Sequence, residues 1–488
     1  MIRLIPRPAP LTLADTLPTA YREPAPPRPP PYESRAVTSS HSAGAHSAGA
    51  NSADVDPAIS SPLARKVGTW SLFLFILGDV LGAGVYVLAG SVAKLSGGAV
   101  WVPLVAALLL ALLTAGSYAE LATKYPRAGG SSHYATRAFG PFVGFLVGFC
   151  MLAAGIVSVG ALALGFAGDY LGAFVNWPTA IVVVVFLALL AALNIRGIAE
   201  SLGVNRVATV IEVGGLVLVV VLGAILLARG GGDLSRLTQL GTPENGPFAA
   251  VLAGTVLAFY SYAGFETSVN VAEETRDPAR SYPRALFGAL TVAGLLYAAV
   301  GVVASAAVPT AELASSSAPL LQVVQAAGIV PPVVFSVIAL VAVANGALLT
   351  GIMSSRLTYG MARDGLLPSF LGKVLPGRQT PWVAVIVTTA ISLVLALTGT
   401  LELLAGIMVL LLLVVFVAVN VAVLVLRKDP VAHRHYRVPA FLPVLGVASC
   451  LLLATQVEPE VWIGGIPFLV VAALLAVFAM ANHRRRNA

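Results

Sequence analysis

The chain has 488 residues, of which 58% are hydrophobic and only 10% are charged. An ordinary soluble domain has about 25% charged residues, so a soluble enzyme, a nucleic-acid-binding protein and a disordered chain are excluded as descriptions of the whole molecule. The net charge of +7 is typical of Lys and Arg facing a cytoplasm, and we expect no nucleic-acid partner. Cys150 and Cys450 lie inside apolar stretches and predict neither a disulfide framework nor a metal site. The composition predicts a polytopic protein of the lipid bilayer, without a cofactor.

Residues 1–66 differ from the rest of the chain. They hold 12 of the 32 prolines and a tandem repeat in which His41–Ala45 is copied as His46–Ala50. Such a segment cannot bury enough apolar surface to offset the entropy of ordering it. We predict a disordered cytoplasmic tail, with a partner-docking tail as the alternative, and residues 483–488 form a basic cytoplasmic C-terminus.

From Thr69 onward, about twelve apolar stretches follow, each long enough to span a bilayer as a helix. They are continuously apolar rather than alternating, which predicts an all-α polytopic membrane protein. The stretches cover roughly residues 69–93, 98–123, 139–168, 178–195, 204–228, 247–273, 283–308, 331–357, 380–398, 401–426, 438–456 and 461–481.

The distribution of basic residues predicts the orientation. If the N-terminus lies inside, the inner segments from Arg65 onward hold 21 Lys and Arg, and the outer loops hold three. Cytoplasmic loops carry such an excess. We therefore expect a plasma (inner) membrane protein with both termini in the cytoplasm.

Glycines interrupt the first and the sixth stretch, at Gly78–Tyr86 and at Tyr260–Glu266. Glycine weakens a helix, and freed backbone groups are tolerated in a membrane only where they are buried or line a cavity. Breaks five stretches apart favour two inverted five-helix repeats around a central site. The repeats would span about 67–228 and 247–426, followed by extra helices at about 438–481. The alternative is that the glycines only let helices pack closely.

Two broken helices suit a zwitterion. Amides at the start of a half-helix attract a carboxylate, and carbonyls at the end of another accept hydrogen bonds from an ammonium group. An amino acid carries both groups on one carbon.

Carboxylates lie inside the predicted spans, and no Lys, Arg or His lies deep in any of them. Asp79 and Glu266 flank the two breaks, and Glu212 lies about two turns into the fifth stretch. Such groups must be protonated, bind a cation or meet a cationic substrate, unless polar neighbours keep them neutral through hydrogen bonds. Glu120 lies near the inner end of the second stretch, where we expect snorkelling or interfacial pairing.

The eighth stretch carries Asn345, Thr350, Ser354 and Ser355. Thr350 and Ser354 are four residues apart and share a helix face. Their hydroxyls either coordinate an ion or bond back to the helix backbone.

At these residues the sequence resembles the amino acid–polyamine–organocation permeases, most closely their cationic amino acid transporters. The likeness covers about residues 67–456. It rests on five motifs: Gly78–Gly90; Ser117–Ala122 with Tyr125–Gly130; Phe259–Glu266 running into Ala272–Pro278; Ser355–Pro368; and Thr380–Val383.

The resemblance implies a leucine-transporter-type five-plus-five inverted repeat with two further helices, and secondary transport of an amino acid or related amine by alternating access. It implies that amides of Ala83 and Gly84 hold the substrate carboxylate, and that carbonyls near Val80, Tyr262 and Ala263 hold the amine. The candidate substrate-binding set comprises Val80, Gly82, Ala83, Gly84, Ser261, Tyr262, Ala263, Gly264 and Glu266. The candidate ion- or proton-coupling set comprises Asp79, Glu212, Thr350 and Ser354. The resemblance also implies charged gating contacts at Ala272–Pro278 and Arg356–Pro368, which could equally be ordinary positive-inside loops.

The sequence departs from this family at one place. Members of the cationic branch often carry in helix five a Lys that replaces a sodium ion and relays a proton, whereas here Val204-Asn205-Arg206 leads to Glu212. A carboxylate takes up a proton itself or helps to bind a cation. We predict proton coupling, with sodium coupling and amino acid or polyamine exchange as alternatives.

Two other classes compete with a transporter. A membrane-embedded enzyme would need a recognisable motif, but there is no His-Glu-x-x-His or Gly-x-Ser-x-Gly, and Ile76 stands where a Gly-x-Gly-Asp motif ending at Asp79 needs glycine. A non-transporting sensor on the same fold can be separated only by a flux assay. We predict a transporter and not an enzyme.

Overall fold

The computed structural model describes residues 67–126, 129–196, 201–243 and 245–487, with backbone alone for 201–204, 206, 478, 479 and 481–487. The predicted tail at 1–66 and the side chains of the predicted basic C-terminus lie outside this description. Within the described residues the chain forms seventeen α-helices and three 3-10 helices, with no strand beyond one isolated bridge between Val67 and Thr275.

The α-helices are α1 Thr69–Leu81, α2 Gly84–Ser96, α3 Trp101–Lys124, α4 Gly130–Phe139, α5 Pro141–Phe166, α6 Asp169–Gly172, α7 Thr179–Arg196, α8 Ser201–Ala228, α9 Pro247–Tyr260, α10 Pro278–Ala307, α11 Thr310–Ser315, α12 Pro319–Ala327, α13 Pro332–Arg363, α14 Trp382–Thr398, α15 Leu401–Leu426, α16 Phe441–Ala454 and α17 Pro459–Asn487. The 3-10 helices are Leu234–Thr238, Phe265–Glu274 and Ser369–Gly372.

Nine helical segments in the described part of the chain are long and apolar enough to cross a membrane. The α1–α2 pair is a tenth only if it counts as one span, because the chain bends by 43° between the two helices. Two further apolar helices, α14 and α16, are shorter, with 17 and 14 residues. The predicted all-α polytopic class is confirmed, whereas the count of twelve spans stays a prediction.

The predicted stretches coincide closely with these helices. The stretch 401–426 is α15 itself, and 178–195 differs from α7 by one residue at each end. The sequence does not reveal α4, α6, α11 or α12, because each is too short to stand out from a loop. It also does not foresee that the sixth stretch continues after its break as a 3-10 helix rather than an α-helix.

The packing of the helices places both breaks inside the protein. α10 lies against α1 and α3, and α2 lies against α9. Val80, Ala83 and Gly84 at the first break and Ser261 and Tyr262 at the second are buried, whereas Gly82, Ala263 and Gly264 are half-buried. The two interruptions of regular backbone therefore occur where other helices can supply hydrogen-bond partners, as a membrane interior requires.

Tyrosines dominate the largest fully buried side chains. Several donate their hydroxyl to a backbone carbonyl of another element: Tyr86 to Glu212 at 2.7 Å, Tyr170 to Tyr86 at 2.8 Å and Tyr262 to Leu104 at 2.9 Å. A buried phenol needs such a partner for its polar end. The fully buried tyrosines are Tyr86, Tyr118, Tyr134, Tyr170, Tyr262, Tyr282 and Tyr297.

Candidate functional site

The first break separates α1 from α2. α1 ends at Leu81, α2 begins at Gly84, and Gly82 and Ala83 connect them. Gly82 has φ −25° and ψ −169°, which is not a helical conformation. The carbonyls that end α1 and the amides that start α2 therefore lie where the intrahelical hydrogen-bond series is interrupted.

The second break lies between α9 and the 3-10 helix Phe265–Glu274, at residues 261–264. Gly264 has φ +122°, a backbone conformation that a residue with a Cβ rarely adopts. Its N–H donates to Oε2 of Glu266 at 2.8 Å, and Glu266 is 4% exposed. The Glu266 carboxylate, a candidate substrate-binding group, thus already satisfies an amide of its own break.

The two breaks are in direct contact. A Cβ added to Gly84 would lie 2.6 Å from Cα of Ser261, and a Cβ on Gly264 would lie 2.8 Å from the carbonyl oxygen of Asp79. The hydroxyl of Thr267 donates to Oδ2 of Asp79 and links α1 to the 3-10 helix. The structure therefore brings together two segments that are 188 residues apart in the chain at this bond. It does so at glycines, where only a missing side chain permits the approach.

Tyr297 of α10 spans both breaks. Its hydroxyl lies 2.8 Å from the carbonyl oxygen of Val80 and 3.2 Å from that of Ser261. The residue is fully buried. Sequence reasoning missed it, because it stands in an apolar stretch, Leu295-Leu-Tyr-Ala-Ala299. The one available signal is a phenol in a membrane span, whose hydroxyl must find a partner.

Glu212 of α8 is fully buried and bonded on one side only. The side-chain amide of Asn345, in α13, donates to Oε1 of Glu212 at 2.9 Å and to Oδ1 of Asn205 at 3.0 Å. Oε2 of Glu212 has no hydrogen-bond partner among the described groups. Asn345 is recognisable in the sequence as a polar residue of the eighth stretch, but its bond to Glu212 could not be predicted.

Asp79 and Glu212 lie on adjacent helices. α1 packs on α8 at Gly78, where an added Cβ would lie 2.4 Å from the hydroxyl oxygen of Thr209. Thr209 precedes Glu212 by one helical turn. The two deep candidate coupling carboxylates are thus held on neighbouring helices, Asp79 beside the first break in α1 and Glu212 in α8.

Thr350 and Ser354 share a face of α13, as the spacing predicts. Oγ of Ser354 donates to the carbonyl oxygen of Thr350 at 2.8 Å. This is the alternative in which the hydroxyl bonds back to its own helix, and it turns the Ser354 hydroxyl proton away from the neighbouring helices. The Ser354 side chain itself packs close to Gly155 of α5.

Glu120, near the end of α3, forms a buried salt bridge. Its Oε1 and Oε2 accept from Nε and Nη2 of Arg427 at 2.9 Å and 2.7 Å, and Oε2 also accepts from the Val438 amide at 2.9 Å. Of the two roles expected for Glu120, pairing is the one observed; its position at the membrane interface stays a prediction. Its partner is 307 residues away and could not be identified from the sequence.

The first predicted gating segment, Ala272–Pro278, lies beside the start of α1. The Val67 amide donates to the Glu274 carbonyl at 3.0 Å, and the Arg276 amide donates to the Val67 carbonyl at 2.9 Å. The second segment, Arg356–Pro368, includes the last turns of α13. The start of the first broken helix is therefore tied to the end of the second.

Two discontinuous helices that meet inside a bundle of apolar helices, with carboxylates beside them, form an arrangement found in membrane transporters. The comparisons agree. A family model described as "Amino acid permease" matches residues 67–485. The chain belongs to the amino acid permease family, and it is a multi-pass membrane transporter for amino acids or amines rather than an enzyme.

Several relatives cover most of the chain. It is 28% identical over 451 residues to the branched-chain amino acid permease BcaP of Bacillus subtilis. That alignment covers 87% of this chain and 94% of BcaP. It is 27% identical over 470 residues to the methylthioribose transporter of the same organism, covering 88% and 96%. It is 30% identical over 387 residues to cationic amino acid transporter 4, vacuolar, of Arabidopsis thaliana, covering 75% and 64%. The resemblance to amino acid–polyamine–organocation permeases is confirmed.

Proposed function

We propose that the protein carries an amino acid or a related amine across the plasma membrane by alternating access, and that a proton gradient drives uptake. The contact between the two breaks is the observation that carries this proposal. It unites the start of α2, at Ala83 and Gly84, with the carbonyl ends of α1 and α9. Helix N-termini favour anions and helix C-termini favour cations, so the two ends suit a carboxylate and an ammonium group.

The hydrogen bond of Glu266 indicates which way round the substrate binds. The Gly264 amide at the start of the 3-10 helix is bonded to Glu266, whereas the start of α2 has no side-chain cap. The substrate carboxylate therefore binds at Ala83 and Gly84, with Gly82 in the connection beside it. The ammonium group faces the carbonyl side, at Val80 and residues 261–263.

Glu212 supports coupling to a proton rather than to sodium. A sodium site needs several oxygen ligands, but the Asn345 amide already donates to Oε1 of Glu212 and to Oδ1 of Asn205. Ser354 directs its hydroxyl to the Thr350 carbonyl. The oxygen without a partner, Oε2 of Glu212, can be protonated without breaking either bond, and Asp79 is the second candidate carrier.

The test is uptake of radiolabelled leucine and arginine into proteoliposomes with imposed gradients. An inward proton gradient should drive accumulation, and a sodium gradient should not. Glu212→Gln or Asp79→Asn should abolish gradient-driven accumulation and leave exchange of internal for external substrate. Accumulation that follows sodium, or full proton dependence in both variants, contradicts the coupling proposal, and absence of flux for every amino acid and amine contradicts transport.

Asp429, after α15, is the matched control carboxylate. Hydrogen bonds first from Arg137 and then from Tyr125 hold the pKa of Asp429 below its usual range. Because the folded-state pKa is depressed, the group stays ionised at every pH above its unfolded value of about 3.9 and loses this stabilisation only as the pH falls through the folded-state value. Asp429→Asn should therefore leave the pH dependence of uptake between about pH 5 and 8 unchanged, whereas Glu212→Gln should flatten it.

We further propose twelve spans in two inverted five-helix repeats plus two helices, with both termini cytoplasmic. The breaks in the first and sixth stretches and the excess of inner Lys and Arg support this arrangement. Because Cys150 and Cys450 are buried, single cysteines introduced at exposed positions can report sidedness. Glu312→Cys should react from outside and Arg434→Cys from inside; the reverse pattern contradicts the orientation.

A further inference from the structure

A cavity of about 310 Å³ lies between four helices, and none of the residues that line it belongs to either break. Its walls come from α5, α13, α14 and α17 and from the 3-10 helix Ser369–Gly372. Leu152 and Leu371 are buried in the wall, whereas Ile391 and Val471 are 40% and 45% exposed. The cavity therefore opens at the outer surface of the helices. In a multi-pass membrane protein, that surface faces the hydrocarbon of the bilayer.

The walls of this cavity are unsuited to water. Of the described side chains that line it, only Thr358 and Thr388 are polar. Thr358 donates its hydroxyl to the Ser354 carbonyl of its own helix at 2.8 Å. Thr388 does the same with the Ala384 carbonyl, also at 2.8 Å. A buried water needs about two to four polar partners, and here both hydroxyl protons are already used. The cavity therefore accepts an apolar molecule.

The volume fits one acyl chain of a lipid. A methylene group takes about the volume of a water molecule, ~30 Å³, so the cavity holds about ten methylene groups. Lipid tails are as apolar as the walls, so transfer from the bilayer brings no hydrophobic gain. The gain comes from the dispersion contacts that the lining of an empty cavity would lose.

Basic residues lie at the end of the cavity formed by the 3-10 helix. Arg363 ends α13, Lys373 directly follows the 3-10 helix, and both side chains are exposed. The two segments are in contact, because a Cβ on Gly372 would lie 3.9 Å from Cγ of Arg363. Asp364 is the one acidic residue of this stretch. An excess of basic charge at a membrane surface attracts anionic lipid head groups.

We propose that this cavity is a binding site for one phospholipid with an anionic head group. One acyl chain fills the cavity, and the phosphate contacts Lys373 and Arg363. The bound chain holds α17 against α5, α13 and α14. The site is separate from the two breaks, so it does not depend on which substrate the protein carries.

The experiment measures which lipids the purified full-length protein retains. The protein in detergent is incubated with equimolar dioleoyl phosphatidylglycerol and dioleoyl phosphatidylcholine, washed, and examined by native mass spectrometry. Phosphatidylglycerol should be retained over phosphatidylcholine by at least about fivefold, the effect of one basic residue near a membrane surface. Lys373→Gln should lower this ratio by about fivefold. Equal retention of both lipids by the wild type, or loss of the bound phosphatidylglycerol to equimolar oleate, overturns the proposal.

Ala153→Phe tests the cavity itself, because Ala153 lines it and is 2% exposed. This variant should retain one phosphatidylglycerol fewer per copy than the wild type. It should also lose the rise in unfolding temperature, about 2–4 °C, that this lipid gives the wild type. Ala390→Phe is the matched control, since Ala390 is exposed on α14 and does not line the cavity. It should behave as the wild type does.

Wild-type retention of phosphatidylglycerol by Ala153→Phe overturns the proposal, as does an equal loss in Ala390→Phe. If Ala153→Phe does not fold, Val387→Phe repeats the test from α14, where Val387 is half-buried and also lines the cavity. A wild type that retains no phosphatidylglycerol overturns the proposal without any variant.

Discussion

Replacing Gly84 by alanine tests whether the two breaks meet as described. The added Cβ would lie 2.6 Å from Cα of Ser261, whereas ordinary contacts begin at 3.4 Å, so the segments must separate by about 0.8 Å. The obstacle is a backbone atom, which cannot rotate away as a side chain can. Overpacking of this kind costs about 1–3 kcal/mol. Because Gly84 is the first residue of α2, the preference of a helix interior for alanine does not offset this cost. We expect the variant to remain folded.

The effect on transport should be larger than the effect on folding. A displacement of about 1 Å in a positioned site lowers its efficiency by about a hundredfold, and the same separation would move the α2 amides away from the α9 carbonyls. Uptake into proteoliposomes should therefore fall by one to two orders of magnitude, while thermal unfolding shifts by only a few degrees. Both measurements are made on the same purified sample.

Gly214→Ala in α8 is the matched control, because no atom lies within 4 Å of the added Cβ. It should keep wild-type uptake and unfold at the same or a slightly higher temperature. The reasoning is refuted if Gly84→Ala takes up substrate as the wild type does, since the breaks would then not be in contact in the working protein. Loss of uptake in both variants would point to a general intolerance of alanine instead.

Three other predictions concern the Glu120–Arg427 pair, Thr267 and the N-terminal tail. Glu120→Gln and Arg427→Gln should each lower the unfolding free energy by about 3–5 kcal/mol, because each leaves a buried partner uncompensated; the double variant should lose less than the sum, and strict additivity would contradict the pairing. Thr267→Val should reduce uptake while Thr267→Ser retains it, because only the hydroxyl reaches α1; equal uptake by both variants would show that the hydroxyl is dispensable. Deleting residues 2–60 should leave uptake intact, and a well-inserted variant without transport would reveal a contact of the tail.

The positions of the spans are predictable from the sequence because a long apolar segment in a bilayer can adopt almost no structure other than a helix. A continuous apolar run must satisfy its own backbone as a helix, so its ends can be read where polarity returns. The stretch that became α15 shows this. The breaks can also be predicted from the sequence. Gly82, Gly84 and Gly264 are unfavourable in a helix, so their presence in an apolar stretch indicates that the helix is interrupted there.

The partners of the polar groups are not predictable in this way. Tyr297 and Val80 are 217 residues apart, and Asn345 and Glu212 are 133 residues apart. Which helices face each other, and in which rotation, decides these contacts, and periodicity is weak in spans that are apolar on every side. The same limit applies to the salt bridge of Glu120, whose pairing was predictable from its depth but whose partner was not.

The three deep carboxylates show what this difference means for mechanism. In the sequence, Asp79 and Glu266 look equivalent, because each flanks a break. In the structure, Glu266 accepts a hydrogen bond from the Gly264 amide of its own break. Asp79, beside the first break, accepts one from the Thr267 hydroxyl, which follows the second break. Protonation of Glu266 would weaken its bond to the Gly264 amide, and protonation of Asp79 would change its bond to the Thr267 hydroxyl. Glu212 is bonded through Oε1 only and retains a buried oxygen without a partner in the described part of the chain. A proton can bind there without dismantling either break, which makes Glu212 the group best placed to exchange one during a transport cycle.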